Sequence, residues 1–325
     1  MSAPSKAPRL ARAIHRFLAH KRALGYSSRQ EAWLLPHLLH HVQRHGAGDL
    51  QAQGFARWLN TLQNRHPNTR HQWYHIVRRF CLYRRRHEPD CFVPSTDGAA
   101  KLQPAVIPVI VEPGQITSLL AKASALAPTS VSPLRGPALR LAIVLLYTCG
   151  LRLGELLRLT MEDMEDHETV LRIRASKFHK SRLVPLSKST TRELQTYLRR
   201  RRKAFAVHPS APLLGNRKGG QLHPYSHPGV QGAINQLFVA AGVRDEQGRR
   251  PRIHDLRHSF AVQALLRWYR QGADVQSCLP KLALYMGHVS IESSAYYLHW
   301  VPALQRLASQ RFEKQFGHLV QGGDR

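Results

Sequence analysis

Four short stretches in the second half of the chain hold reactive side chains in unusual settings. The first, TCGLRLGEL from Thr148 to Leu156, sets Arg152 between Leu151 and Leu153 directly after Gly150. A guanidinium among apolar neighbours needs an anionic partner, because desolvating it alone is costly. That partner is either a bound anion or a structural acid, with Glu155 and Glu162 in reach by sequence. The second stretch, KFHKSRLVP from Lys177 to Pro185, sits at the tip of a predicted hairpin, where Lys177 can project towards a ligand. Lysines are also common in turns with no such role. The third, HDLRHSF from His254 to Phe260, puts His254 and Arg257 three residues apart on one helical face. His254 and His258 also stand at the i, i+4 spacing of a zinc motif. That motif requires Glu as its general base, whereas this chain has Asp255, and the fixed cation Arg257 falls between the two imidazoles. The fourth, GHVSIESSAYYLHW from Gly287 to Trp300, carries His288 and the tandem Tyr296-Tyr297. In isolation an aromatic pair reads as packing.

Those residues need elements to hold them. A strongly apolar helix, about 138–148, precedes Arg152, after a helix over 113–127 and a Pro/Ser break. Alternating Val170, Leu171 and Ile173, then Leu183, Val184 and Leu186, predict a strand–turn–strand over 169–187. Helical periodicity resumes over 189–205, 227–241, 254–271, 275–286 and 302–317, so this half is mostly α with one small sheet. Upstream, residues 94–112 carry prolines and few helix formers, which predicts an extended linker. Before it, helices are expected over 8–24, 28–45, 51–63 and 67–87. The chain therefore divides into a helical domain over 1–93, a Pro-rich linker over 94–112, and a second domain over 113–325. The fold class is mainly α with a small β-sheet in the C-terminal domain.

Charge identifies the kind of partner. The chain has 325 residues with 48 Lys+Arg against 20 Asp+Glu, a formal charge of +28. Sixteen basic and four acidic residues fall in 1–93, so neither domain alone carries the excess. A two-domain protein that is basic throughout most simply binds a polyanion, with nucleic acid foremost. In the first domain Arg65, Arg70, Arg78, Arg79, Arg84, Arg85 and Arg86 occur with no acid between Asp49 and Glu88. Such a run reads as a solvated face or as a DNA grip, and the lack of counter-charge favours the grip. The run Arg199 to Lys203 stays open between a solvated helix end and a further phosphate contact. Cys81, Cys91, Cys149 and Cys278 form no CxxC pair and read as reduced thiols. The longest apolar run, Leu141 to Cys149, is half of the roughly 20 residues that a membrane span needs. The Arg-rich, acid-free beginning reads as an amphipathic helix rather than a targeting peptide. A soluble, cytoplasmic, nucleoid-associated protein is expected.

The order of the four stretches is more specific than any one of them. Arg, then Lys on a hairpin, then His-x-x-Arg on a helix, then Gly-His, then Tyr nine residues later, resembles the tyrosine recombinase (phage integrase) family. The motifs stand here as TCGLRLGEL, KFHKSRLVPL, HDLRHSFA and LYMGHVSIESSAYYLHW, spanning about residues 113–317. The resemblance implies Arg152, Lys177, His254, Arg257 and His288 as the catalytic set and Tyr297 as nucleophile, with Tyr296 the register competitor. It implies a two-domain clamp on double-stranded DNA and a homo-oligomer, a tetramer, that can include partner recombinases. It also implies strand cleavage through a 3′-phosphotyrosine without metal, ATP or cofactor, in the service of a mobile element. The segment from His254 to Gly287 is longer than the family's pattern, with Arg267-Trp-Tyr-Arg270 and Cys278-Leu-Pro280 among the extra residues.

The chemistry agrees with that implication. Cleaving a phosphodiester builds negative charge on the non-bridging oxygens, which two forked arginines can stabilise in the transition state. A tyrosine with reference pKa about 10 is roughly 0.1% ionised at pH 7, a handicap of about 4 kcal/mol that a nearby base and a cationic pocket reduce. Two rival readings are an accessory DNA-binding protein of the same fold without strand exchange, and a type IB topoisomerase-like relaxation of supercoils.

Overall fold

The structure is a computed structural model, and it describes residues 9–26, 28–104, 106–174, 181–206 and 208–287, together with 309, 310 and 313. The chain divides into two compact units, Met1–Val106 and Ile107–Arg325.

In the first unit the apolar periodicity folds into α1 (Arg9–Ala23), α2 (Arg29–Arg44), α3 (Ala52–Asn60) and α4 (Pro67–Arg85). Pro67 opens α4 where a backbone N–H is not needed, and the His66 side chain accepts from Asn68 N at the helix start. Leu10, Ile14 and Phe17 of α1, Leu34 and Leu38 of α2, Trp58 of α3 and Phe80 of α4 meet in one core. Trp58 and Phe80 are fully buried, each stabilising the fold by about 1.5–3 kcal/mol relative to exposure. The segment after α4 does not run free. Tyr74 donates to the Ser95 carbonyl, Arg78 to Pro94 and Asn68 to Gln103, so residues 94–103 lie along α4. Prolines cannot donate to a ladder, but carbonyls here accept side-chain donors, and the Pro-rich composition alone gave no sign of that.

The second unit is built around α6 (Arg135–Thr148), whose residues Leu141 to Leu146 are all buried, so it is central rather than amphipathic, with Arg140 reaching out to Glu193. Around it pack α5 (Pro113–Ser124), α8 (Lys188–Ala204), α9 (His227–Ala240) and α10 (Asp255–Arg270). A short α7 (Leu153–Leu156) follows α6, and α11 (Val275–Met286) packs on α10 through Leu265, Leu279, Leu282 and Met286. The predicted hairpin is present as β2 (Val170–Ile173) and β3 (Arg182–Pro185), with Leu171 opposite Val184. A strand not foreseen, β1 (Met164–Glu165), pairs with β2 to make a three-stranded antiparallel sheet. A second hairpin, β4 (Gly215–Lys218) and β5 (Gln221–Pro224), turns at Gly219-Gly220, both with positive φ. That pair is the signal of a two-residue hairpin turn, and it was legible in the sequence. Of the residues read as extra before Gly287, Arg267 to Arg270 form the last turn of α10 and Cys278 to Pro280 lie within α11. Of the helix expected over 302–317, all but Ser309, Gln310 and Glu313 lies outside the described residues.

The basic run at the end of α8 is not uniformly solvated. Arg201 is fully buried and donates to the Pro212 carbonyl, while Arg202 pairs with Glu168. Arg199, Arg200 and Lys203 remain exposed.

Candidate active site

The site begins where α6 stops. Gly150 turns the chain with φ 59°, a left-handed conformation that costs L side chains energy, and the Phe260 ring packs against its Cα face. An added Cβ would lie 2.5 Å from Phe260 Cδ1. The next turn presents Arg152 at the N-cap of α7, and Glu155 one turn on accepts from the Arg152 backbone N–H at 3.0 Å and from its Nη1 at 2.7 Å. Of the two acids in reach by sequence, the partner is therefore Glu155, and Glu162 pairs instead with Arg174.

Three guanidinium groups converge on the C-terminal end of α11. Arg182 Nε donates to the Tyr285 carbonyl at 2.8 Å, Arg257 Nη2 to Met286 at 2.7 Å, and Arg152 Nη2 to Gly287 at 3.0 Å. These carbonyls belong to the last turn of a helix, where no intrahelical donor remains and the helix dipole is negative. Cations on successive residues satisfy both deficits, at about 1.5–3 kcal/mol for each charged hydrogen bond. Arg257 is almost fully buried and also donates from Nη1 to the Gly150 carbonyl, so one side chain joins the ends of α6 and α11. Gly287 closes α11 in the left-handed conformation, φ 65°, with the Arg182 guanidinium against it.

Glu155 is the hub. Its carboxylate receives Arg182 through both terminal nitrogens, at 3.1 and 2.9 Å, besides the two contacts from Arg152. Burial alone would raise its pKa, but the hydrogen bonds and charge of Arg182 and Arg152 outweigh that and hold it at about 2. It stays ionised at any working pH.

His254 stands at the N-cap of α10 with an exposed edge. Partial desolvation, then the charges of Arg257 and Arg152, lower its pKa against the opposing pull of Asp255, so the ring is neutral near pH 7. His258 packs edge-to-face on it with ring centroids 4.8 Å apart. Desolvation and the His254 charge push His258 down to about 4. Asp255, in the place where a zinc motif would carry its base, is buried and bound to Arg252 through Nη2 at 2.9 Å and the backbone N–H at 2.8 Å. Ser259 accepts the Val111 N–H at 2.8 Å and so ties the segment entering the unit to α10.

The structure thus brings Arg152 and Arg257 to adjacent carbonyls at the end of α11, with His254 within electrostatic reach of both. Lys177, His288, Tyr296 and Tyr297 lie outside the described residues. Arg182 was quoted in the sequence motif but given no role there. Its signal was alternation, because Arg182 shares the inward face of β3 with buried Val184.

In the first unit the seven arginines divide. Arg65, Arg79, Arg85 and Arg86 are exposed, and Arg65 lies 5.9 Å from the Trp73 ring centroid. Arg70 is half-buried, as is Arg78, which donates to Pro94. Arg84 is a correction to the expected polyanion face. Its guanidinium is 2% exposed and bound to both Asp49 and Glu88, the two acids that bracket the basic run. Burial would lower its pKa, but these carboxylates raise it above the ordinary arginine value. Position 84 continues the buried stripe of Trp73, Val77 and Phe80, so helical phase rather than charge decides its direction. A cleft that the sequence did not reveal is lined by Arg9, Arg12, His15, Arg16 and His87 around Glu88.

Residues 111–303 match the phage integrase family. An integrase/recombinase of Sinorhizobium fredii designated y4rE is 30% identical over 92% of this chain and 94% of its own length. The tyrosine recombinase XerD of Vibrio cholerae is 28% identical over 76% of this chain and 75% of its own. Among solved structures, the integrase of the transposon Tn1549 with circular intermediate DNA aligns at TM-score 0.63 and 17% identity, over 95% of this chain and all of that one. The lambda integrase dimer on a core site aligns at TM-score 0.58 and 16% identity, over 88% of this chain and 94% of that one. These last two likenesses are of fold. No described helix is long and apolar enough to cross a membrane.

Proposed function

This chain belongs to the phage integrase family of tyrosine recombinases, and from that premise we propose how its residues share the work of cutting and rejoining DNA. The reading is a site-specific recombinase of a mobile element, supported by a relative named as an integrase/recombinase and by likeness of fold to the integrase of a transposon. The observation that carries the residue assignment is the placement of Arg152 and Arg257 on adjacent carbonyls, with a neutral His254 in their field.

The Tyr297 phenolic oxygen attacks the scissile phosphorus. The bond to the 5′ oxygen breaks, and a 3′-phosphotyrosine forms. His254, neutral near pH 7, takes the phenolic proton, and Lys177 gives a proton to the leaving 5′ oxygen. Arg152 and Arg257 meet the charge that grows on the non-bridging oxygens, preorganised by the carbonyls that already hold them. His288 donates a hydrogen bond to the same phosphate. In the return step a 5′ hydroxyl attacks the phosphotyrosine and releases the tyrosine, so the number of phosphodiesters is conserved and no nucleotide cofactor is consumed.

The substrate is duplex DNA. The exposed Arg65, Arg79, Arg85 and Arg86, with Arg70, contribute to the backbone grip. Strand exchange between two duplexes requires more than one active protomer, which supports a homotetramer on DNA, with or without partner recombinases. The element's termini, mapped by sequencing DNA covalently trapped on the protein in its host, supply a nicked duplex on which rejoining is blocked. Wild-type protein and Tyr296→Phe accumulate a covalent adduct on it, and Tyr297→Phe binds without forming one. Adduct with Tyr297→Phe but not Tyr296→Phe would overturn the register. No adduct with wild type would leave the accessory-protein reading standing.

A further inference from the structure

We propose that Arg182 is the positioning residue of this active site, orienting Arg152 through Glu155 and pinning the helix end that leads into His288. The inference rests on the reading of Arg152 as a phosphate-binding arginine. Its warrant is the connectivity of one side chain. Arg182 is 9% exposed in its side chain and uses three donors at once, two on the Glu155 carboxylate and one on the Tyr285 carbonyl. Glu155, 1% exposed, passes that fixation to Arg152, whose backbone and Nη1 it also holds.

Arg152 itself is 26% exposed, a long side chain that unsupported would sample several rotamers. The fork-to-fork geometry of Arg182 on Glu155 leaves the carboxylate one orientation, and that orientation leaves Arg152 one. A lysine could match the charge but not the plane. The contact with Gly287 shows how closely the guanidinium is seated, because an added Cβ there would lie 2.8 Å from Arg182 Nη1. Arg182 therefore touches both the acid that aims one phosphate ligand and the turn that precedes another. If burial were its whole purpose, an apolar residue of similar volume would do as well or better.

The test uses the full chain and the nicked duplex mapped above, with single-turnover adduct formation and DNA affinity measured separately. Arg182→Gln is expected to slow the adduct by about 10–100-fold with DNA affinity within about threefold, the pattern of a supporting residue whose loss misplaces a first contact. Arg182→Lys is expected to fall between. In an Arg152→Ala background, Arg182→Gln should add less than it costs in wild type, what remains being the share exerted through the turn before His288. On a duplex whose scissile phosphate is an uncharged methylphosphonate, the penalties of Arg182→Gln and Arg152→Ala should shrink together, since both concern charge on that phosphate. A purely structural role would give the same loss on both substrates and add in full to Arg152→Ala. If Arg182→Gln is poorly folded because it strands the Glu155 carboxylate, Arg182→Gln with Glu155→Gln removes that charge and is read in the same way. Near-wild-type cleavage by any folded variant lacking the fork, or full additivity with Arg152→Ala, overturns the proposal. Failure of wild type to form any adduct refutes instead the reading on which it rests.

Discussion

Replacing Arg84 separates holding the fold from holding DNA. Arg84→Met keeps most of the buried stem and removes the charge from between Asp49 and Glu88. Removing one partner of a buried ion pair costs about 3–5 kcal/mol, because the remaining charge is stranded. Here the cost lies at the low end. Glu88 keeps Arg16 at 3.0 Å and Arg9 at 3.4 Å, and the Asp49 side chain is 33% exposed and can rehydrate. A loss of about 3 kcal/mol is expected, which at roughly 1–3 kcal/mol per molar urea moves the midpoint by about 1–3 M. Tryptophan fluorescence follows it, since Trp58 sits fully buried in the same core. The salt dependence of duplex binding supplies the second axis. Under conditions where the variant is folded, its log–log slope should equal that of wild type. Arg79→Ala and Arg85→Ala, both exposed, should keep stability within about 0.5 kcal/mol and flatten the slope by about 0.9 for each phosphate no longer neutralised. An Arg84→Met protein of wild-type stability with a flattened slope would show that Arg84 leaves its acids to grip DNA, and the reasoning from burial would fail.

Other perturbations have equally definite outcomes. Gly150→Ala forces a left-handed φ and sets a methyl against Phe260, costing about 2–4 kcal/mol. Adding Phe260→Leu should recover the overlap but not the backbone part, and full recovery in urea unfolding would refute the conformational half of the argument. His258, held at about 4 against an ordinary 6.5, is favoured neutral by the fold. Its contribution is complete above pH 6.5 and is lost as pH falls towards 4, up to about 3 kcal/mol. His258→Gln should therefore flatten the fall in stability between pH 7 and pH 4.5, and an unchanged fall would refute it. Glu155, at about 2 against an ordinary 4.5, starts to add to the fall only near pH 4.5 and in variant and wild type alike.

The sequence by itself determined the helices, the first hairpin, the basic character and the order of the reactive residues. Each is a one-dimensional property, since apolar spacing sets the period, Gly and Pro set the breaks, and charge sums without regard to geometry. It also named Glu155 as one of two partners for Arg152, because a one-turn spacing is local. What the tertiary structure alone decided is the use of the arginines. Arg84 and Arg79 are alike in composition, yet one is sealed between Asp49 and Glu88 and the other faces solvent. Arg182 and Arg257 read as parts of separate motifs until the chain brings them, with Arg152, to the last three carbonyls at the end of α11. A guanidinium is drawn by whatever acceptors lack donors. Those acceptors were created by the end of a helix more than 100 residues from Arg152 and Arg182, a distance that no sequence spacing encodes.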